Sequence, residues 1–415
     1  MKNKKDKNVR LLIIAGILLL TGGCDIFSNG SGANNQISVN NNLAKLNQRI
    51  HVVNKPVTLD SGKTKSPNPS LVSGKNRFTH IVDIDAPAIG ADQKKLSATG
   101  VQIQANKIYV SYQLHGSEYG GAVDMIDMKD LKGNSTDNPS IVSSIDFSDT
   151  DINALDIEQN GKLLWITGGR DVHKSNYNTE NHYGAIVGEI SIVQDGFLSK
   201  NYRETPLPSY SGNAIVDTGN QLYAAAGATD GGFFELDKST LEISNSFYTD
   251  YAKSVDRRKD DIIGLYLSSD KQMAEFRMMN FNGKDSQSYD TRLAVNPSNG
   301  KNVIEHFGDI TYAALGDQGV KGYKFDGSTK PLVYSFKAEA TDAANGVTVD
   351  GEYVYVANGI DGLYITSRNC NNKKEPVSVY HWNSGPGSAN NVKTDGNYII
   401  VAKGVDGISI LRKNY

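Results

Sequence analysis

The sequence predicts an all-β fold, a seven-bladed β-propeller, and its clearest support is a repeat near the C-terminus. Asn345–Ile365 and Asn390–Ile410 share a leading Asn, an Asp-Gly turn, a hydrophobic run that begins with Tyr, and a Gly-x-Asp-Gly turn. Val347 and Val392 occupy equivalent positions and are 45 residues apart. A period of this length, built from short strands and turns, is typical of propeller blades.

The composition and the hydrophobic pattern support the same fold class. The chain has 41 Gly and 21 Tyr among its 415 residues, which suits many short strands joined by tight turns. No long segment after residue 23 has the apolar periodicity of a helix.

Seven repeat units fill the C-terminal part of the chain. The fourth unit, in residues 250–298, matches the pattern least because it lacks the Gly-x-Asp-Gly turn. Equal assignment of strands to each unit predicts seven blades of four antiparallel strands. The anchors of the first strands, spaced by 54, 60, 40, 48, 44 and 45 residues, are Val101, Leu155, Ile215, Val255, Val303, Val347 and Val392.

The last unit is one strand short, and an N-terminal segment is expected to complete it. The seventh unit reaches the C-terminus after its third strand, whereas Arg77–Asp85 (RFTHIVDID) has strand alternation and precedes the first unit. Pairing of this segment with the last blade would close the ring and remove two free sheet edges. The predicted propeller domain is therefore residues 77–415.

The repeat resembles that of a known family. The pattern Val-x-Val-x-Gly-x-Tyr-x-Tyr-Val-Ala-x-Gly-x-x-Gly-Leu-x-Ile, which Val347–Ile365 matches best, is similar to the LVIVD-repeat family of bacterial propeller proteins. The resemblance covers about 330 residues. It implies a propeller that is exported or exposed at the cell surface. The motifs of the family specify blades, so the resemblance implies no reaction.

The start of the chain predicts export and lipid anchoring. A basic segment, the apolar run Leu11–Leu20 and two Gly precede Cys24, which is the organisation of a signal peptide. A Cys at this place resembles a bacterial lipobox, so residues 1–23 would be removed and Cys24 lipidated. Residues 24–76 are expected to be a flexible tether, with Ile50–Val53 and Val57–Leu59 as the two segments that could instead form edge strands. The predicted location is the bacterial cell membrane or outer membrane.

The charge and the cysteine content of the chain argue against nucleic-acid binding and against an intrachain disulfide. Loss of residues 1–23 removes five positive charges and one negative charge, so the formal net charge falls from −3 to about −7. This argues against nucleic-acid binding, which usually requires a basic surface. With Cys24 lipidated, Cys370 has no partner, and no intrachain disulfide is expected.

Two long loops mark the candidate binding site. The turn between the second and third strands grows to Ser111–Gly121 in the first unit and to Gly168–Gly184 in the second. Neighbouring blades present these turns on the same face, and long loops in a compact domain are often functional. The candidate binding residues on them are His115, Glu118, Tyr119, Arg170, Asp171, His173, Tyr177, His182 and Tyr183.

Three interpretations of these loops remain open. Their Tyr, His and Arg side chains suit the binding of an envelope protein or a glycan. A metal site from His115, His173 and His182 is the second, although their spacing matches no metal motif. A solvated variable loop is the third. The Asp-Gly turns are interpreted as hairpin turns, and no cofactor or metal is predicted.

Catalytic motifs are missing from the sequence. It has no Gly-x-Ser-x-Gly elbow, Gly-rich phosphate loop or Cys-x-x-Cys-His motif. The predicted function is therefore that of a membrane-anchored binding or scaffolding protein of the cell envelope, and not an enzyme. The alternatives are a propeller hydrolase or lyase with a metal or acid–base site on the same face, and a purely structural envelope component.

Overall fold

The computed structural model describes most of the chain from residue 37 onward. The described residues are 37–61, 77–129, 138–173, 184–193, 196–227, 229–258, 261–268, 273–279, 287–296, 300–327, 331–339 and 342–414. No helix among them is long and apolar enough to span a membrane.

The described residues before the first blade contain six strands and one short helix. In chain order they are β1 (Ile37–Asn40), α1 (Leu43–Leu46), a 3₁₀ turn (Asn47–Arg49), β2 (Ile50–Pro56), β3 (Asp60–Ser61), β4 (Phe78–Ile84), β5 (Ala88–Ile89) and β6 (Lys94–Lys95). β5 and β6 pair with each other as a small hairpin.

Seven antiparallel sheets follow, and they are the blades of a β-propeller. Blade 1 contains β7 (Ser97–Gln104), β8 (Lys107–Gln113), β9 (Gly121–Asp127) and β10 (Ser140–Phe147). Blade 2 contains β11 (Thr150–Ile157), β12 (Leu163–Arg170), β13 (Ala185–Ile192) and β14 (Leu198–Pro206). Blade 3 contains β15 (Ser211–Asp217), β16 (Leu222–Gly227), β17 (Gly232–Leu236) and β18 (Ile243–Tyr248). Blade 4 contains β19 (Ala252–Arg258), β20 (Asp261–Leu267), β21 (Met273–Met279) and β22 (Gln287–Ala294).

The remaining blades are shorter and more regular. Blade 5 contains β23 (Ile304–Phe307), β24 (Ile310–Ala314), β25 (Val320–Tyr323) and β26 (Leu332–Phe336). Blade 6 contains β27 (Gly346–Val349), β28 (Tyr353–Ala357), β29 (Leu363–Ser367) and β30 (Val379–Trp382). Blade 7 contains β31 (Asn391–Thr394), β32 (Tyr398–Ala402) and β33 (Ile408–Lys413), with β4 as its fourth strand.

The blades pack face to face, and this explains their sequences. Each neighbouring pair encloses one hydrophobic cluster, which gives seven clusters among the described residues. Middle strands such as β28 and β32 are buried on both faces and are apolar without alternation. Outer strands such as β22 are mainly exposed or half-buried, with polar side chains at many positions. The first strands contact one another around a central channel.

The predicted closure of the ring is confirmed. β4 pairs antiparallel with β33, with Ile84 opposite Ile408 and Val82 opposite Ile410. Ile84 and Val82 are fully buried in the cluster between blades 7 and 1. The N-terminal and C-terminal parts of the propeller are therefore joined inside a single blade. The weakest of the predicted repeats is also a complete blade, because β19 to β22 form one sheet.

The boundary predicted at residue 77 is corrected by the strands that precede it. β1 pairs with β10 on the outside of blade 1, β2 pairs with β4 on blade 7, and β3 pairs with β30 on blade 6. Residues 37–61, predicted as tether, thus belong to the propeller. The outer strands of these blades would otherwise expose unpaired backbone groups. Residues 1–36, with Cys24, lie outside the described residues.

A ring of polar side chains joins the first strands at one end of the channel. Each member donates a hydrogen bond to a backbone carbonyl of the following blade, at 2.7 to 3.2 Å. We call these residues the channel ring: Thr99, Asn153, Asn213, Asn345 and Asn390. The last two are the leading Asn residues of the sequence repeat, so the repeat encodes a contact between blades as well as the strands themselves.

Candidate binding face and central channel

One face of the propeller carries the long loops, and we call it the loop face. It is formed by the turns between the second and third strands of each blade and by the links from each fourth strand to the next blade. In blade 1 the first kind of turn is residues 114–120, shorter than expected because β8 extends to Gln113. The hairpin of β5 and β6 lies in the link from blade 7 to blade 1.

A carboxylate of blade 2 holds the loop of blade 1. The Asp151 Oδ1 atom accepts hydrogen bonds from the backbone N–H groups of Leu114 and Gly120, both at 3.1 Å. Burial raises the pKa of Asp151 to about 6, against the opposing effect of these two bonds. The blade 1 loop is therefore anchored to the first strand of blade 2.

The loop face contains a pocket of about 320 Å³ at the top of blade 1. This volume lies at the lower end of the range of small-molecule sites, roughly 300–1,000 Å³. Apolar and charged side chains contribute to it from β1, the β5–β6 hairpin, the blade 1 loop and the end of β10. Its lining residues are Ile37, Ser38, Ile89, Gly90, Ala91, Asp92, Lys94, Leu114, Glu118, Tyr119, Asp146, Phe147 and Ser148.

Two of the sequence candidates line this pocket. Glu118 is exposed and forms an ion pair with Lys94 of β6, which links the blade 1 loop to the hairpin. Tyr119 is half-buried, and burial together with the charges of Asp151 and Asp171 raises the pKa of its hydroxyl. His115 is exposed on the same loop. The structure therefore places Glu118 and Tyr119, but not His115, in the lining of a cavity that the sequence did not reveal.

Arg170 lies inside blade 2 and not on its surface. Its guanidinium is buried and forms a two-point ion pair with Glu204 on β14. The Tyr202 hydroxyl donates a further hydrogen bond of 2.6 Å to Glu204. From its position at the end of β12, Arg170 was predicted to lie on a loop. Its ion-pair partner Glu204 is 34 residues further along the chain, so the sequence pattern did not reveal the pair.

The other blade 2 candidates are only partly described. The Asp171 N–H donates to the Asp149 carbonyl at 2.9 Å, and the Asp171 Oδ1 atom accepts from the backbone N–H of His173 at 3.0 Å. Tyr177, His182 and Tyr183 lie outside the described residues. Within the described part of the chain, no group of three His, Cys, Asp or Glu side chains could hold a metal ion.

The central channel contains charged residues that the sequence analysis missed. Lys393 of blade 7 forms an ion pair of 2.7 Å with Glu305 of blade 5. Asp156 and Asp256 also lie within electrostatic range of Lys393, and burial raises their pKa values to about 6 and about 7. Each of these carboxylates accepts a backbone N–H of the next blade, at 2.6 to 2.9 Å.

A lysine crosses the channel at the end that carries the channel ring. The Lys301 ammonium donates to the carbonyl oxygens of Thr99 at 2.5 Å and Asn153 at 3.0 Å, which belong to blades 1 and 2. Burial lowers the pKa of Lys301 to about 7. Asp156, Asp256 and Lys393 each directly follow a repeat anchor. A search for charged residues at that one position would have found these three members of the channel.

Comparisons with known proteins identify no family for this chain. No family model matches it, and no curated protein matches it. Among solved structures, it is similar to the crystal structure of the computationally designed Ika8 protein, with 11% identity and a TM-score of 0.47. The match covers 80% of this chain and 100% of that one. At this similarity the assignment of the fold depends on the seven sheets themselves.

Proposed function

We propose that the protein is an exported, lipid-anchored propeller of the LVIVD-repeat type that binds an envelope protein or a glycan on its loop face. The observation that carries the proposal is the pocket on that face, bordered by the blade 1 loop that the sequence singled out. Pockets with apolar walls and a few convergent polar groups are the usual form of a binding site.

The chain path supports binding close to a membrane anchor. β1 begins at Ile37, and Ile37 itself lines the pocket. Cys24 precedes it by thirteen positions. A lipid on Cys24 would therefore hold the loop face near the bilayer. Replacement Cys24→Ser should release the protein from membranes and abolish labelling by a fatty-acid analogue; unchanged membrane fractionation and labelling would contradict the lipid anchor.

A hydrolase or lyase is the second candidate, and one observation favours it. Glu305, Asp156 and Asp256 surround Lys393 in the channel, which is a constellation with both acid and base groups. Each carboxylate, however, already accepts a backbone hydrogen bond from the next blade. Their position therefore also serves to join the blades, and the binding function is preferred.

The test is capture of partners from an envelope extract by a soluble form that begins after Cys24. One variant replaces residues 174–183 of the blade 2 loop by an Asp-Gly turn. A matched control shortens residues 130–137, which connect β9 to β10; the flanking strand ends, Asp127 and Ser140, lie at the end of blade 1 opposite the loop face. Loss of a captured partner in the first variant alone supports the loop face. Equal capture by all three proteins contradicts it.

A further inference from the structure

The pocket on the loop face combines apolar side chains with an excess of negative charge. Ile37, Ile89, Leu114 and Phe147 supply apolar surface, and the Tyr119 ring lies among them. The charged lining groups are three carboxylates and one ammonium, and that ammonium is already paired with Glu118. Binding of a cation would therefore improve the charge balance of the pocket, and binding of an anion would worsen it.

Asp146 is the carboxylate best placed to meet a ligand. It lies on β10 directly before Phe147, and the Ser38 hydroxyl of β1 donates to its Oδ2 atom at 3.4 Å. It is half-buried, so a charged partner in the pocket would interact with it in a partly desolvated setting. Charge-assisted hydrogen bonds in such surroundings are shorter and stronger than neutral ones.

The positions of the nearby charged groups explain why Asp146 forms no ion pair among the described residues. Burial, followed by the nearby Asp124 of β9, raises its pKa to about 6, and Arg49 and Lys45 oppose that change only in part. Arg49 directs its guanidinium to Asp124 at 2.9 Å and to the Asp85 carbonyl at 3.2 Å. The Arg49 guanidinium is therefore already paired with Asp124 and not with Asp146.

We propose that this pocket binds a small primary ammonium compound with an apolar or aromatic body, and that Asp146 receives the ammonium group. The inference rests on the proposed binding function of the loop face and names the chemical class of its small ligand. The apolar residues and the Tyr119 and Phe147 rings contact the body of the ligand, and the small volume excludes large ones.

Three probes of nearly equal size test the charge requirement: phenethylamine, 2-phenylethanol and 3-phenylpropanoate. Affinities are measured by calorimetry and by ligand-observed NMR on the soluble chain that begins after Cys24. We expect phenethylamine to bind about tenfold or more tightly than the alcohol, since a hydrogen bond to a charged group is worth that much. The carboxylate probe should not bind. Equal affinities, or no binding of any probe at millimolar concentration, would overturn the proposal.

Two variants and one control locate the site. Asp146→Asn keeps the shape of the side chain and should weaken phenethylamine binding about tenfold. Ala91→Trp, on the exposed hairpin, should abolish binding by filling the pocket, and it remains informative if Asp146→Asn does not fold. Glu242→Gln makes the same charge change on the opposite face and should have no effect. Binding that survives both pocket variants would overturn the proposal.

The pH dependence adds a second readout. Because Asp146 becomes protonated as the pH falls through about 6, affinity for phenethylamine should fall about tenfold between roughly pH 7.5 and pH 5. Asp146→Asn should lose this dependence, and a dependence that persists in it would count against Asp146. Partner capture that depends on residues 174–183, without amine binding, would overturn this inference and leave the proposed function standing.

Discussion

We call the boundary between two neighbouring blades a seam. Two seams of the propeller hold the turn between the second and third strands to the next blade by different means. Between blades 6 and 7, Gly359 and Ala389 exchange two backbone hydrogen bonds, of 3.1 and 2.7 Å. Between blades 1 and 2, the side chain of Asp151 accepts hydrogen bonds from the backbone N–H groups of Leu114 and Gly120 at the two ends of the loop. The regular seam uses groups that do not titrate, whereas the seam beside the pocket depends on a half-buried carboxylate. Between blades 1 and 2 a side chain thus makes the contact that a pair of backbone hydrogen bonds makes between blades 6 and 7.

The largest expected effect concerns the seam at which the two ends of the chain meet. Val82 on β4 is fully buried between β2 and β33, and its partner Val52 on β2 is 53% exposed. We expect Val82→Asp to lower the free energy of unfolding by about 4 kcal/mol or more, because it buries an unpaired charge. Val52→Asp should change it by less than about 1 kcal/mol. Urea unfolding of both variants measures this, and equal effects would refute a ring closed by β4.

The regular seam can be broken without changing any charge. Gly359 has φ +59°, and a Cβ there would lie 3.1 Å from the Asp342 carboxyl carbon. Gly359→Ala should therefore cost about 1–2 kcal/mol of stability through its left-handed backbone alone. Gly351→Ala, with open space and no positive φ, is the matched control and should be nearly neutral. Two identical thermal melts would show that the backbone bridge does not need glycine.

The smallest effect is a pH dependence that distinguishes the two seams. The folded-state pKa of Asp151 is raised to about 6, so the folded protein binds a proton that the unfolded chain releases near pH 4. Stability should fall as the pH rises from about 4 to about 6, and the loss persists above that range. Asp151→Asn keeps an oxygen acceptor and should lose less stability between pH 5 and pH 8. Urea unfolding at both values checks this, and parallel losses in the two proteins would contradict it.

The parts of the fold that the sequence predicts are those with a local pattern. Tyr353–Ala357 and Tyr398–Ala402 are buried strands at equal spacing, so their number and order follow from counting. Arg77–Asp85 was predictable because its alternation fits the strand missing from the last unit. β1 was missed, and Ile50–Val53 of β2 was left undecided between edge strand and tether, because an added edge strand pairs through its backbone, which leaves little trace in residue type.

The candidate site was harder to predict, because its contacts join distant parts of the chain. Arg170 and Glu204 pair across a blade, and Lys301 reaches blades 1 and 2 from the link between blades 4 and 5. The pocket needs β1, β6 and β10, which are far apart in sequence. Only the blade 1 loop, with Glu118 and Tyr119, had a signal in the sequence, namely its length.

Under the proposed lipid anchor, the position of Ile37 limits how far the pocket lies from the membrane. Ile37 lies on the loop face, and the stretch of chain from Cys24 to Ile37 is thirteen positions long. Even fully extended, that stretch spans at most about 45 Å. With a lipid on Cys24, the pocket would stay within about that distance of the bilayer surface, and it could not bind ligands that are further away. Insertion of residues between Cys24 and Ile37, with the blades unchanged, would increase the distance from the bilayer at which the pocket can bind a ligand.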